Sequence, residues 1–308
     1  PFIRKAEPVD VLRTQVIPND AEFWRQWGLH NTGQDFGWGS GTNDCDIDAP
    51  EAWDSTTGES ELIIGLLDSG IDTTHPDFDK TRIILGKDFV GDGDSVLDKN
   101  GHGTIMAGII GAATNNNTGI AGVTWNCKLM IIQVVDRNGF SASEKIFDAT
   151  KYAVDSGCKV INISISKPSP APALEHAVAY ADSHNVLIVA AAGNTKDTIV
   201  YYPAGYYEYY FNIISVGATD CNNVLWDSSN TTTWSRFALS VVALALSVVA
   251  PGVKIFSTAP TYPYTIGRAT NYDYFSGTSC ATAFVCLLYT SDAADEGLGV
   301  DLGGRRII

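Results

Sequence analysis

Four runs rich in apolar residues, each of strand length, alternate along the chain with stretches of helical period, and this alternation narrows the fold more than any other feature. The first, residues 62–67, carries no charge and delivers Asp68 at its end. The others occupy residues 128–135, 159–165 and 186–192. Runs that stay apolar, in place of an in-out alternation, belong to strands covered on both faces. Such strands pair in parallel and need crossover connections, for which residues 143–156 and 172–184 supply helical patterns. The expectation is an α/β sheet of mostly parallel strands with helices packed against it. Open sheets of this kind gather their functional groups at the carboxyl ends of the strands, where Asp68 falls.

A chain of 308 residues can bury one large core, so a single main domain is expected, with little left for a second. The formal charge of −15 argues against a nucleic-acid partner and suits a soluble protein able to hold cations. The nearest candidate for a membrane span, residues 237–250, contains Ser240 and Ser247 and falls short of the roughly 18 residues needed. Six cysteines, Cys45, Cys127, Cys158, Cys221, Cys280 and Cys286, show neither zinc-site spacing nor the density of a disulfide scaffold. Mostly free, partly buried thiols are expected.

Two further stretches bear on chemistry. Gly277, Thr278 and Ser279 lead into an apolar, helix-compatible run ending at Val285. A serine at a helix start lies among unpaired backbone N–H groups and near the positive end of the dipole, so an oxyanion beside it would be stabilised. The same pattern also fits a serine that simply caps the helix. His102 sits between Gly101 and Gly103, ahead of a helical run that reaches Gly111. Aspartate, histidine and serine, in that chain order, form one of the known orders of the serine-protease triad.

Five phrases occur in order: Asp68-Ser69-Gly70-Ile71-Asp72, His75-Pro76-Asp77, Asn100-Gly101-His102-Gly103-Thr104, Ala191-Ala192-Gly193-Asn194 and Gly277-Thr278-Ser279. On them the chain resembles the subtilisin-like serine proteases, or subtilases, over most of residues 18–285. The resemblance implies a subtilisin-like three-layer α/β fold, a mostly parallel twisted sheet with helices on both faces. It implies a serine endopeptidase in which Ser279 attacks the scissile carbonyl, His102 moves the proton and Asp68 holds the imidazole, with Asn194 and the Ser279 backbone N–H on the oxyanion. Ser164, Ile165 and Ser166 become the edge that pairs with the substrate backbone. Ala190, Ala191, Ala192 and Gly193, with Tyr202, Pro203 and Ala204, become the border of a roomy apolar pocket. The resemblance also implies a structural Ca2+ bound by Asp20, Asp77, the Asn116 side chain and the carbonyls of Ala113, Thr118 and Ile120. Polypeptide substrates, the protein's own propeptide as inhibitor, a monomeric state and an extracellular or cell-envelope location come with it. The alternative, a subtilase-like binding domain without catalysis, would need a broken triad, and Asp68, His102, Ser279 and Asn194 are all present.

Several positions depart from the family pattern. Ser166-Lys167-Pro168 replaces a glycine-rich continuation, so substrate preference at that edge does not carry over. Ile105 stands where a second histidine is usual, and Cys280, Ala283 and Phe284 replace methionine, proline and histidine. Cys280 is expected to be open to oxidation. Asp88, Asp92, Asp94 and Asp98 lie where some members hold a second calcium, but Gly91 and Gly93 occupy expected ligand positions, and a solvated acidic loop fits equally. Asp48 is expected near the cap of a short helix through Pro50. His30, His176 and His184 are assigned no chemistry, and the lengthened stretch at residues 206–210 has no account.

The expected organisation has three parts. Residues 1–17 resemble the tail of a subtilase propeptide, with maturation between about Gln15 and Pro18. Residues 18–285 form the catalytic domain, expected to stop short of its native C-terminus. Residues 286–308 look like a translated sequencing-library adapter, in one block from Cys286 to Glu296 and another from Val300 to Ile308. Setting aside their four acidic and two basic residues moves the formal charge from −15 to −13. Residues 238–244 are nearly repeated at 245–251, which fits an inserted loop or an artefact equally.

Overall fold

The computed structural model describes residues 16–91, 96–231, 246–267 and 269–286. The four apolar runs become strands β1 (Ile63–Asp68), β3 (Lys128–Gln133), β4 (Val160–Ile163) and β5 (Leu187–Ala191). They join β2 (Ile83–Asp88), β6 (Ile213–Thr219) and β7 (Val248–Pro251) in one sheet of order β2-β3-β1-β4-β5-β6-β7. Every pairing in it is parallel. A separate antiparallel pair, β8 (Ile255–Ala259) and β9 (Asn271–Phe275), completes the strands of the described residues.

Helices cover both faces. Ile64 and Leu66 of β1 share one core with buried residues of α2 (His102–Gly111) and α5 (Thr278–Val285). Leu67 faces the other way, into a core shared with α3 (Ser143–Asp155) and α4 (Pro172–Ser183). This is the period-2 alternation of a strand buried on both sides. In α3 the buried positions are Ile146, Ala149, Thr150, Ala153 and Val154, the i, i+3, i+4 stripe of an amphipathic helix. By contrast, all eight residues of α5 are buried, as are nine of the ten in α2. These two helices run through the interior, so they lack a polar face.

The chain leaves β1 toward one edge of the sheet and leaves β4 toward the other. The carboxyl ends of these neighbours therefore flank the crevice where such sheets bind ligands. Asp68 ends β1, and Ser164 follows β4.

Several elements differ from the sequence reading. It did not assign β2, β6 or the β8–β9 pair. β2 is an edge strand with alternating exposure, and β6 dilutes its apolar signal with Ser215, Gly217 and Thr219 although every position is buried. Asp48 does not cap α1 (Ala49–Trp53) through its side chain; it takes a left-handed backbone, φ 50°. Asp46 does the local bonding instead, accepting the N–H groups of Asn31 and Asp48 at 2.6 Å each. Burial, helped by the charges of Asp48 and Glu51, pushes its carboxyl up to about 6. β7 covers the last four residues of the second copy of the near-repeat; Ala245, the first copy, most of the propeptide-like stretch, Asp92, Asp94 and residues 287–308 lie outside the described residues. Among the described residues no helix is long and apolar enough to cross a membrane.

Candidate active site

Asp68 is fully buried, and both its carboxylate oxygens accept from Nδ1 of His102, at 2.8 and 2.9 Å. This fixes the tautomer, because a hydrogen on Nδ1 leaves Nε2 with its lone pair. Burial works against charge on His102, but the Asp68 carboxylate and its hydrogen bond, with the charge of Asp98, outweigh it and raise the pKa above the ordinary value. The imidazole is 27% exposed, enough to meet a substrate. Gly103 lets α2 start this close to β1, since a Cβ there would lie 2.1 Å from the Gly70 carbonyl oxygen.

Ser279 is the second residue of α5 and is 7% exposed. Its hydroxyl donates to the carbonyl oxygen of Ser164 at 3.1 Å. In this arrangement its one proton is aimed at the end of β4, not at His102. Ser164 Oγ in turn donates to Asn162 Oδ1 at 2.9 Å. Asn194 is held at one end: Thr278 N and Oγ1 both donate to its Oδ1, at 2.8 and 2.9 Å. The point where a Cβ of Gly277 would sit is 3.4 Å from Asn194 Nδ2, 3.7 Å from the Ser279 backbone N and 3.8 Å from Asn194 Oδ1, so both nitrogens lie near one backbone position. Such a pair of donors can stabilise a developing oxyanion.

The subtilase family model matches residues 59–289. The chain belongs to the subtilase family. A thermophilic serine proteinase of Bacillus sp. (strain AK1) is 38% identical over 92% of this chain, which spans 62% of that protein. Thermitase of Thermoactinomyces vulgaris is 38% identical over 78% of this chain and 77% of its own length. Subtilisin BL of Lederbergia lenta is 37% identical, covering 78% of each.

In this subtilase the expected pocket residues separate. Ile165, Ser166, Tyr202 and Pro203 line a small cavity of about 70 Å³ with Ser143, Ile146 and Leu174. Ala190, Ala191 and Ala192 are buried in the sheet and do not line it. Gly193 serves the Asn194 loop instead: its φ is +111°, and a Cβ there would meet Asn230 at 2.4 Å. Asn230 holds that loop by donating its N–H to the Gly193 carbonyl and accepting from Thr195 and Asp197.

The expected cation ligands lie together. Asp20 and Asp77 are buried, and neither forms an ion pair with lysine or arginine among the described residues. Burial, with the Asp20 charge adding to it, pushes Asp77 up to about 6. Asp77 accepts from Asn116 Nδ2 at 3.1 Å and from Ile120 N at 2.8 Å, while Asn116 Oδ1 accepts from Thr118 N. Asp20 accepts from Asn115 N at 2.8 Å, and the Ala113 N–H bonds the Asp77 carbonyl. Two buried carboxylates without a lysine or arginine partner are compatible with a hard divalent cation, although here N–H donors meet both, and among the described residues no group of three or more histidine, cysteine or acidic side chains comes together to hold a metal.

Two expectations are revised. Asp98 is not part of a solvated acidic loop; it is fully buried and saturated by N–H and O–H donors. Cys280 is 2% exposed and its thiol is pushed up to about 12 by burial, so it holds almost no reactive thiolate. Besides Asp98, the sequence reading missed Thr278 and Asn230. Their hydroxyl and amide types occur in any loop, and only their proximity to Asn194 gives them a role.

Proposed function

We propose that this subtilase is a serine endopeptidase working through Ser279, His102 and Asp68. The observation that carries this reading is the buried Asp68 carboxylate bonded to His102 Nδ1, which leaves Nε2 basic at the crevice where α5 presents Ser279. Substrate would lie along residues 164–166, with a side chain in the cavity beside Ile165 and Tyr202. Attack requires Ser279 to turn its hydroxyl from the Ser164 carbonyl to His102 Nε2. His102 then takes the proton as Ser279 Oγ bonds the scissile carbonyl carbon, and Asn194 Nδ2 with the Ser279 N–H receives the oxyanion. The protonated imidazole gives its proton to the leaving amine. Water, activated by the same nitrogen, hydrolyses the acyl-enzyme and restores the hydroxyl.

A structural Ca2+ belongs to the same reading, held by Asp20, Asp77, Asn116 and the carbonyls of Ala113, Thr118 and Ile120. It would supply the positive charge the two buried carboxylates lack, tying the N-terminal arm to the 113–120 loop. A propeptide-bearing precursor, inhibition by that propeptide, an extracellular or cell-envelope location and a monomeric state also belong to it.

A fluorophosphonate probe tests the nucleophile, since it reacts with an activated serine. We expect stoichiometric labelling that disappears in Ser279→Ala. No uptake by folded protein, or equal uptake by the variant, overturns the reading.

A further inference from the structure

We propose that Asp98 is a positioning residue for the Asp68–His102 pair, fixing it through Ser69 and the first turn of α2 and adding a second negative charge that stabilises the imidazolium. This inference rests on the endopeptidase reading for its kinetic consequences. Its structural content concerns His102 alone.

Asp98 is fully buried, and its carboxylate accepts five hydrogen bonds. Oδ1 takes Ser69 Oγ at 2.8 Å, Asn100 N at 3.1 Å and Gly101 N at 2.7 Å. Oδ2 takes Thr104 N at 2.8 Å and Thr104 Oγ1 at 2.7 Å. Four of these donors, on Asn100, Gly101 and Thr104, flank His102 on both sides in the chain, so one carboxylate fixes where the histidine's backbone starts the helix. A carboxylate can saturate this many donors, whereas a neutral amide would set an N–H against Thr104.

Ser69 links the two acids. Its hydroxyl donates to Asp98 and accepts the Gly103 N–H at 2.9 Å, while its backbone N–H donates to Asp68 Oδ1 at 2.7 Å. Asp68, His102 and the head of α2 are thereby held by one chain of hydrogen bonds anchored on Asp98. No cation neutralises the anchor among the ion pairs of the described residues. Its charge acts on His102, together with that of Asp68, to favour the protonated ring.

The other groups around the imidazole do not supply that charge. Tyr262, whose hydroxyl donates to the Asp98 carbonyl at 2.9 Å, and Tyr264, whose ring packs on Gly101, are phenols kept neutral by burial. Cys280 on α5 is a buried thiol. Asp72 turns its carboxylate to Thr74 and Thr261. Lys99 and Arg137 are the cations nearest along the adjoining loops, where Thr265 bonds the Lys99 carbonyl and Asn100 bonds that of Arg137.

The test uses the full chain with Ca2+ present. In Asp98→Asn we expect kcat to fall by about 10-fold or more with KM changed less than about threefold, the scale of an outer partner that orients a working group. The acid limb of kcat/KM should move down by about half a unit to about one and a half units, the scale of one partly screened charge. Ser69→Ala keeps the charge, so it should lower kcat and leave the acid limb in place. In the Ser279→Ala background, NMR titration of His102 and its downfield Nδ1–H proton reads the same shift without any turnover, which separates this inference from the endopeptidase reading. An unmoved His102 pKa in folded Asp98→Asn overturns it. Should that variant fail to fold, an unchanged kcat and an unchanged Nδ1–H resonance in Ser69→Ala overturn it instead.

Discussion

Asn194 has its oxygen fixed by Thr278, and in the proposed mechanism its nitrogen meets the oxyanion, so its contribution would belong to the transition state and not to ground-state binding. Asn194→Ala is expected to lower kcat by about 100- to 1,000-fold with little change in KM, the size known for the corresponding asparagine of subtilisin. Equal losses in both constants would contradict the role. His102 gives a second prediction. Its raised pKa favours the protonated ring, and a general base must be neutral, so activity should rise through an acid limb centred above the ordinary value of about 6.5. The stability linkage runs the other way: the contribution is complete below the unfolded-state pKa and is lost as pH rises through the folded one. A pH–rate profile of kcat/KM with a limb at or below about 6.5 would count against it. At single positions the meeting of Asp68 with His102 was legible from motifs that carry their own chemistry, while the roles read for Asn194 and Ser279 belong to the proposed function. Asp98 was left open between a cation site and a solvated loop because a burial environment cannot be read from an aspartate in an acidic, glycine-rich stretch.

Among the elements, α2 is seated closely against the segment after β1. Its Gly103 approaches Gly70 so closely that an added methyl would need backbone movement, and both partners belong to the segments that carry His102 and Asp68. Gly103→Ala is expected to cost about 1–3 kcal/mol by overpacking and to lower activity more than stability alone explains. Denaturant midpoints beside kcat measure the two effects, and a variant with unchanged values for both would show that the contact is soft. Periodicity found α3 and α4 because each has a wet face and a dry one. It found β1, β3, β4 and β5 because they stay apolar. β2 and β6 escaped it, one because it lies at an edge, the other because small polar residues are buried where their bonds are met, as Ser215 is by Ser247.

For the molecule as a whole, the proposed cation links segments far apart in sequence: Asp20 in the arm, Asp77 beyond β1 and the loop after α2. Removing it with a chelator should lower Tm by roughly 5–10 °C, the effect of about 2.7 kcal/mol of binding linkage on a domain this large. Asp77→Ala should make Tm insensitive to both chelator and added Ca2+; an unchanged Tm in the parent protein on chelation would remove the site. The order of residues along the chain was enough to establish a parallel α/β sheet, the family and the types of group available for catalysis, because hydrophobic period and motif chemistry are local properties. The parking of the Ser279 proton on Ser164, the separation of Ala190–Ala192 from the cavity and the anchoring of Asp68 and His102 on Asp98 were visible only in three dimensions. Each depends on which distant backbone groups meet in the crevice between β1 and β4, and a local pattern does not encode that meeting.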